Sequence, residues 1–582
     1  MEKSLPIATE HHAPKTAPRH NAIRVMILTC LTFVLCITWF SHRLPLLTSG
    51  SKHDDHHEMK QKACQQVPAL FPSEQTDKLK QAYDFLFTDQ FQNASIGKLS
   101  GAVQIHTESF DDLGKIGEDE RWDVFYPFHQ YLAKTFPRIH SQLKVEKVNT
   151  HGLLYTWTGS DEKRKPVVLM AHQDTVPVDR DTIDSWTHPP WSGYYDGEKI
   201  WGRGSSDCKN SLIGILETLE ILLEAEYTPS RTIVLSFGFD EECSGREGAG
   251  HLSEFLLERY GENGVAAILD EGMGWQKAFG RGYATPGVAE KGATDVSITV
   301  RTPGGHSSIP SDHTSIGILA EIITTIESQQ YPTFLAKDNP FYGFLQCGAE
   351  YSPDFPKKLK KLLGQRSEGK HTCAAKHKDK IAQEAAKISK ESQYLMQTSQ
   401  AVDLIKGGTK TNALPEAAVA VVNHRINIGQ EPEDVWAHIT HLIKPIAKKY
   451  NLTLNAFNGQ SAGYKAISLS ASDTTLRVAP ITPSNVDTVN PFSVLSGTIR
   501  ALYGEDTIVA PALMTGNTDT RYYWNLTKNI FRFGPGYVNE DETGVGNIHT
   551  VDESVTVSNH LKVVRWYNLF IRNIDEAILE DD

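Results

Sequence analysis

No two cysteines of this 582-residue sequence form a CxxC pair, which argues against a cysteine-ligated zinc site. There are seven cysteines, and Cys30 and Cys36 lie in an apolar run. The other five, Cys64, Cys208, Cys243, Cys347 and Cys373, are scattered, which permits a disulfide without announcing one. An excess of positive charge is also lacking. The formal net charge is -13, which speaks against a nucleic-acid partner. No internal repeat is visible. What is present is ordinary for a globular enzyme, with 40% hydrophobic and 22% charged residues. The length allows two or three domains.

One stretch lacks charge altogether, Val25 to Phe40. Ala22 and Ile23 extend it toward the ~20 residues a bilayer span needs, and Arg24 can snorkel. Lys3, Lys15, Arg19 and Arg24 precede the run, so the positive-inside rule keeps the N-terminus cytosolic. The expectation is a cytosolic tail over 1–22, a transmembrane signal anchor over 23–44 and a solvated stalk over 45–75. A cleaved signal peptide is the rival, but its n-region would be long and no A-x-A site follows. The sequons at Asn93, Asn451 and Asn525 agree with translocation as glycosylation acceptors.

Beyond the stalk, Pro166 to Ala171, Thr232 to Phe237 and Val265 to Leu269 read as buried strands, and Leu212 to Leu223 as a helix. Strands alternating with helices predict an α/β sheet covered on both faces. From about residue 294 the rhythm changes. Asp295 to Val300, Ala417 to Val422 and Asn451 to Phe457 read as strands and Ser315 to Ile326 as a helix, an α+β insertion. Within it, Lys357 to Lys390 is lysine-dense and reads as an exposed helical excursion with little to fill a core. The expected division is a catalytic domain interrupted by an insertion. Its first segment covers 76–293, the inserted domain 294–480 and the returning catalytic segment 481–582.

Several segments at strand ends carry residues suited to metal ligation, where ligand sites gather in open α/β sheets. His172 leaves a strand in AHQDTVPV, and Asp174 could hold its second ring nitrogen. Asp207 in WGRGSSDCKN precedes a helix, either as an N-cap or as a carboxylate able to bridge two cations. Asp240, Glu241 and Glu242 crowd after a strand in FGFDEECSG. Such acids repel unless protons or metals neutralise them, or they form an exposed acidic turn. Asp270 follows a strand in LDEG, and His549 in HTVDES offers a second imidazole.

The order of AHQDTVPV, WGRGSSDCKN, FGFDEECSG, LDEG, GGHSS, GNTDTR and HTVDES resembles the M20 family of metallopeptidases, within it the carboxypeptidase S group. The resemblance runs from about Leu99 to the C-terminus. It implies an α/β zinc-exopeptidase-like catalytic domain with an inserted α+β lid/dimerisation domain. It implies two Zn2+ per subunit. His172 and Asp270 would hold one ion, Glu242 and His549 the other, and Asp207 would bridge both. Asp174 would orient His172, and Glu241 would be the general base. His306 of the lid, often supplied by a partner subunit, would stabilise the oxyanion. Asn412, Arg425 and Arg521 would contact substrate, an arginine pairing with its carboxylate.

The expected activity is hydrolysis of the C-terminal amide bond of small Gly-Xaa-type peptides by metal-activated water. The expected setting is a single-pass type II membrane protein with its catalytic domain in a vacuolar lumen, and a homodimer through the lid. An N-acyl amino acid hydrolase or synthase is an alternative within the enzyme class. A non-catalytic membrane-tethered binding protein is one outside it.

Overall fold

The computed structural model describes residues 63–367, 379–460, 463–539, 547–580 and 582. The expected tail, the expected anchor over 23–44 and most of the expected stalk lie outside the described residues. Among the described residues no helix is long and apolar enough to cross a membrane.

The largest sheet has ten strands. Its main path runs Lys144–Val148, Gly152–Trp157, Ile233–Gly238, Val167–His172, Ala267–Ala278, Ile530–Asn539, Gly287–Glu290 and Ala512–Met514. The middle strands are parallel: Val167–His172 pairs with Ile233–Gly238 on one side and Ala267–Ala278 on the other. Every residue of Val167–His172 and Ile233–Gly238 is buried, as helices on both faces require. Val168, Met170, Val234 and Ile268 pack toward Leu252 and Leu256 of helix His251–Tyr260. The alternate residues Val167, Leu169, Leu235 and Leu269 pack on the opposite face, against helices Lys209–Glu224 and Val557–Glu576. Helix Lys209–Glu224 is buried from Lys209 to Leu223, and its buried Glu217 is paired with Lys98 at 3.0 Å. Gly214 lets the second helix approach it, since a Cβ there would lie 2.5 Å from Val563 Cγ1.

A second, five-stranded sheet runs Ser399–Gly407, Ala417–Ile426, Gly292–Arg301, Ala466–Ala471 and Thr453–Ala456. Gly292–Arg301 and Ala417–Ile426 alternate strictly between buried and more open positions. Val296, Ile298, Ala420 and Val422 therefore form one apolar face, beneath Ile322 and Ile439 of helices Ser315–Ser328 and Pro432–Lys449. The other face carries Arg425.

Two expectations need correction. The lysine-dense excursion does fill a core: Leu359, Leu363 and Ile381 are buried with Phe341, Leu345 and Phe355. Among the described residues, its lysines occupy the outward positions of short amphipathic helices, so composition hid the apolar stripe. The stalk does not run solvated to residue 75. Gln66 exchanges two hydrogen bonds of 2.9 Å with the Val509 backbone, and Leu70 N donates to Gly497 O at 2.9 Å. Cys64 is bonded to Cys347 of helix Pro340–Tyr351, with Cα atoms 5.0 Å apart. Cysteines far apart in the chain pair through the fold, which scattered spacing does not reveal.

The cross-link makes Cys347→Ser destabilising, by about 2–4 kcal/mol. Denaturant melts of variant and wild type measure this. Coincident curves would contradict a stabilising disulfide.

Candidate active site

The parallel strands end at one edge of the sheet, with His172 opposite Gly238 in register. The loops leaving that edge bring the ionisable groups together. His172 is the last residue of its strand. Glu241 and Glu242 form a short 3-10 turn, Glu241–Cys243, beyond Ile233–Gly238. Asp207 stands just ahead of helix Lys209–Glu224. His549 arrives from near the C-terminus.

Asp207 stands at the centre. Its Oδ1 lies 3.1 Å from His172 Nε2 and its Oδ2 lies 3.0 Å from His549 Nε2. His549 Nε2 also lies 3.1 Å from Glu242 Oε2, and His172 Nε2 lies 3.4 Å from Glu271 Oε1. The Nδ1–H of His172 donates to the Asp174 backbone carbonyl at 3.0 Å. That leaves the Nε2 lone pair aimed at carboxylate oxygens, two acceptors face to face, which only a proton or a cation can reconcile. The Asp174 side chain holds the acidic turn in place. Its Oδ1 accepts from Glu241 N and its Oδ2 from Glu242 N, both at 3.1 Å, and Ser109 Oγ donates to Oδ2 at 2.7 Å.

Asp207, Glu241, Glu242 and Glu271 converge here with Arg521 as the nearby guanidinium, its Nη2 3.4 Å from Glu241 Oε1. Their titration reports the crowding. Burial, then Asp207, pushes Glu271 up to about 8, and burial above all pushes Glu241 well above the usual carboxylate range. Hydrogen bonds to Asp207 and Glu242 push His549 up to about 10. Burial resists charging His172, but Glu271 and its other anionic neighbours outweigh it and hold the ring's pKa well above its usual value. The donor set of imidazoles and carboxylates fits divalent cations, zinc among them. His172, Asp207 and Glu271 could hold one ion, and Asp207, Glu242 and His549 a second. The Cys208 thiol lies within the first group.

Asp270 does not meet this cluster as expected. Its Oδ1 accepts from Glu271 N at 2.9 Å, and its buried side chain feels the charges of His172, Glu290 and Arg532 without being within reach of the His172 ring nitrogens. Neighbours on a strand point to opposite faces. Asp270 follows Ile268 inward, whereas Glu271 follows Leu269 to the face where helix Lys209–Glu224 delivers Asp207. The LDEG motif held both acids, and Glu271 is the one whose carboxylate stands beside His172 Nε2.

A cavity of about 470 Å3 adjoins the cluster. Asp207, Glu241, Glu271 and His549 line it on one side, and Met273, Trp275 and Met514 supply apolar walls. Asn517 lines it too, and Arg425 Nη1 donates to Asn517 Oδ1 at 2.7 Å. Arg425 and Arg521 thus stand at the site's margin. His306 and Asn412 do not line the cavity. Both are exposed at a small ladder where Gly305–His306 pairs with Ala413–Leu414. Sequence reasoning missed Ser109 and Glu271, and it passed over Glu553 within HTVDES.

Comparison with known proteins fits this geometry. Residues 168–573 match peptidase family M20/M25/M40. The chain is 40% identical over 577 residues to carboxypeptidase S of Saccharomyces cerevisiae, covering 96% of this chain and 97% of that one. It is 32% identical over 499 residues to the N-fatty-acyl-amino acid synthase/hydrolase PM20D1 of Mus musculus, covering 84% of this chain and 89% of that one. Among solved structures, human carnosine dipeptidase 1 shares the fold with a TM-score of 0.59 at 14% identity, over 87% of this chain and 100% of that one. This chain belongs to the M20/M25/M40 peptidase family.

The geometry predicts that Glu271→Gln lowers the metal retained per chain after dialysis, while Asp270→Asn keeps the wild-type content. Elemental analysis of both variants checks this. The opposite ranking would return the ligand role to Asp270.

Proposed function

We propose that this chain is a two-zinc carboxypeptidase, hydrolysing the amide bond that precedes a free C-terminal amino acid. The observation that carries the reading is the division of Asp207's two oxygens between two imidazoles that lie far apart along the chain. His172, Asp207 and Glu271 would hold one ion, and Asp207, Glu242 and His549 the other. When bound, the ions supply Lewis acidity toward the scissile carbonyl and a water molecule. Glu241 faces the cavity, takes the proton of the attacking water and passes it to the leaving nitrogen. Asp174 keeps Glu241 and Glu242 in register through their backbone N–H groups. Arg521 and Arg425 serve the substrate carboxylate, Arg425 acting beside Asn517.

The wider setting belongs to the same proposal. Residues 23–44 anchor the chain, and the catalytic domain faces a lumen of vacuolar type. The exposure of Asn93, Asn451 and Asn525 supports their being glycan acceptors. His306 and Asn412, exposed and outside the cavity lining, would serve the site of a second copy through a homodimer built on the inserted domain.

The apolar walls at Met273, Trp275 and Met514 favour a second reading, hydrolysis or synthesis of N-acyl amino acids. Assaying the full chain on a blocked Gly-Leu dipeptide and on a long-chain N-acyl leucine separates the two. The carboxypeptidase reading expects a higher kcat/KM on the dipeptide, lost on chelation and restored by zinc. Turnover that survives complete metal removal would reject both.

Glu241→Gln should cost about 10²–10⁴-fold in kcat while zinc content stays at the wild-type value. Full turnover in that variant would remove Glu241 from proton transfer.

A further inference from the structure

Glu553 is fully buried, makes no contact with the cavity and has no part in the chemistry above. Its Oε1 accepts three backbone hydrogen bonds, from Gly204 N, Ser206 N and Asp207 N, each 3.0 Å long. Its Oε2 accepts from Arg203 Nη1 at 2.6 Å, and Arg203 is itself buried. The Glu553 backbone carbonyl accepts from Gly202 N at 2.9 Å. Directly beyond, Ser554–Thr556 pairs with Lys199–Trp201. Three N–H groups can point at one oxygen because Gly204 takes a left-handed conformation, φ +86°.

These contacts close a ring. Asp207 is held at its backbone N by Glu553 and touches His549 through its side chain at 3.0 Å. His549 lies four residues before Glu553 on the same segment. That segment is not relaxed: His549 and Asp552 both have left-handed backbones, φ +61° and +64°. The His549 side chain is half exposed, so packing alone does not fix it. Asp552 accepts from Thr187 N at 2.7 Å and from Thr187 Oγ1 at 2.8 Å, which ties down the exposed flank. Glu553 ties down the buried one.

We propose that Glu553 is a positioning residue that sets the spacing between Asp207 and His549, and so the affinity of the ion those two share with Glu242. The inference rests on the two-ion reading of the site. An ionised carboxylate suits the task, because four donors converge on it and charge-assisted bonds are the stronger kind. An amide of the same shape would place its NH2 against either Arg203 or the three N–H groups, donor against donor.

The test is zinc binding to the full-length protein, read by competition with a chromophoric chelator, for wild type, Glu553→Gln, His549→Ala and the double variant. The expected result is two ions in wild type and a weaker hold on one of them in Glu553→Gln, by about 10–100-fold. Added to His549→Ala, Glu553→Gln should weaken binding no further, because both act on one ion. In steady-state assays of Glu553→Gln, kcat at limiting zinc should fall with KM for the peptide unchanged, and excess zinc should restore it. A purely structural role would lower the melting temperature without this zinc rescue. Arg203→Gln, which leaves the three N–H bonds to Glu553 in place, is the second variant; it should weaken the same ion by a smaller factor. Wild-type affinity for both ions in Glu553→Gln, or a kcat loss that zinc does not repair, overturns the inference alone. A single ion bound by wild type overturns the two-ion reading beneath it.

Discussion

Everything at the sheet edge depends on the electrostatic cost of gathering three glutamates around one aspartate. Asp207, Glu241, Glu242 and Glu271 share one small volume, with Arg521 at its margin. Without compensation, such a group would spread apart or take up protons. The fold holds it by second contacts at the backbone. Asp174 grips the Glu241–Glu242 turn, and the carbonyl of Asp174 fixes the ring of His172. Carboxylates and imidazoles held in this way, which otherwise share protons among themselves, are what divalent cations need in order to bind in a defined geometry.

The core of this frame was legible in the chain itself. Val167 to Ala171 and Ile233 to Phe237 are apolar almost without interruption, which only a strand covered on both sides explains. The acids and His172 follow those runs closely, so their place at the sheet edge could be read as well. Asp270 and Glu271 were harder. A motif says that an acid is wanted, but which of two adjacent acids faces the site depends on where the pleat of the strand begins. The lysine-rich stretch misled for a related reason. Leu359, Leu363 and Ile381 are few, yet they fall on one side of their helices, and composition averages that pattern away. The pairing of Cys64 with Cys347 depends on contacts across the whole fold, so no local reading could supply it.

The two sheets divide the labour around the cavity. The large one provides the ionisable groups through its loops. The small one meets them through Arg425, which stands on its open face and reaches Asn517 of the large domain. The contact is one of several between the two, with the Arg246–Asp473 ion pair at 3.3 Å and the packing of Ala289 and Leu513 against Ala336 and Ile428.

The strand order carries a temporal consequence. Ile530–Asn539 lies in the interior of the large sheet, flanked by Ala267–Ala278 and by Gly287–Glu290, strands made much earlier in synthesis. A nascent polypeptide that has not yet released this strand from the ribosome lacks both the middle of its sheet and, a little further on, the second imidazole. Hydrolytic competence therefore waits until Ile530–Asn539 and His549 have both emerged and joined the sheet and the site.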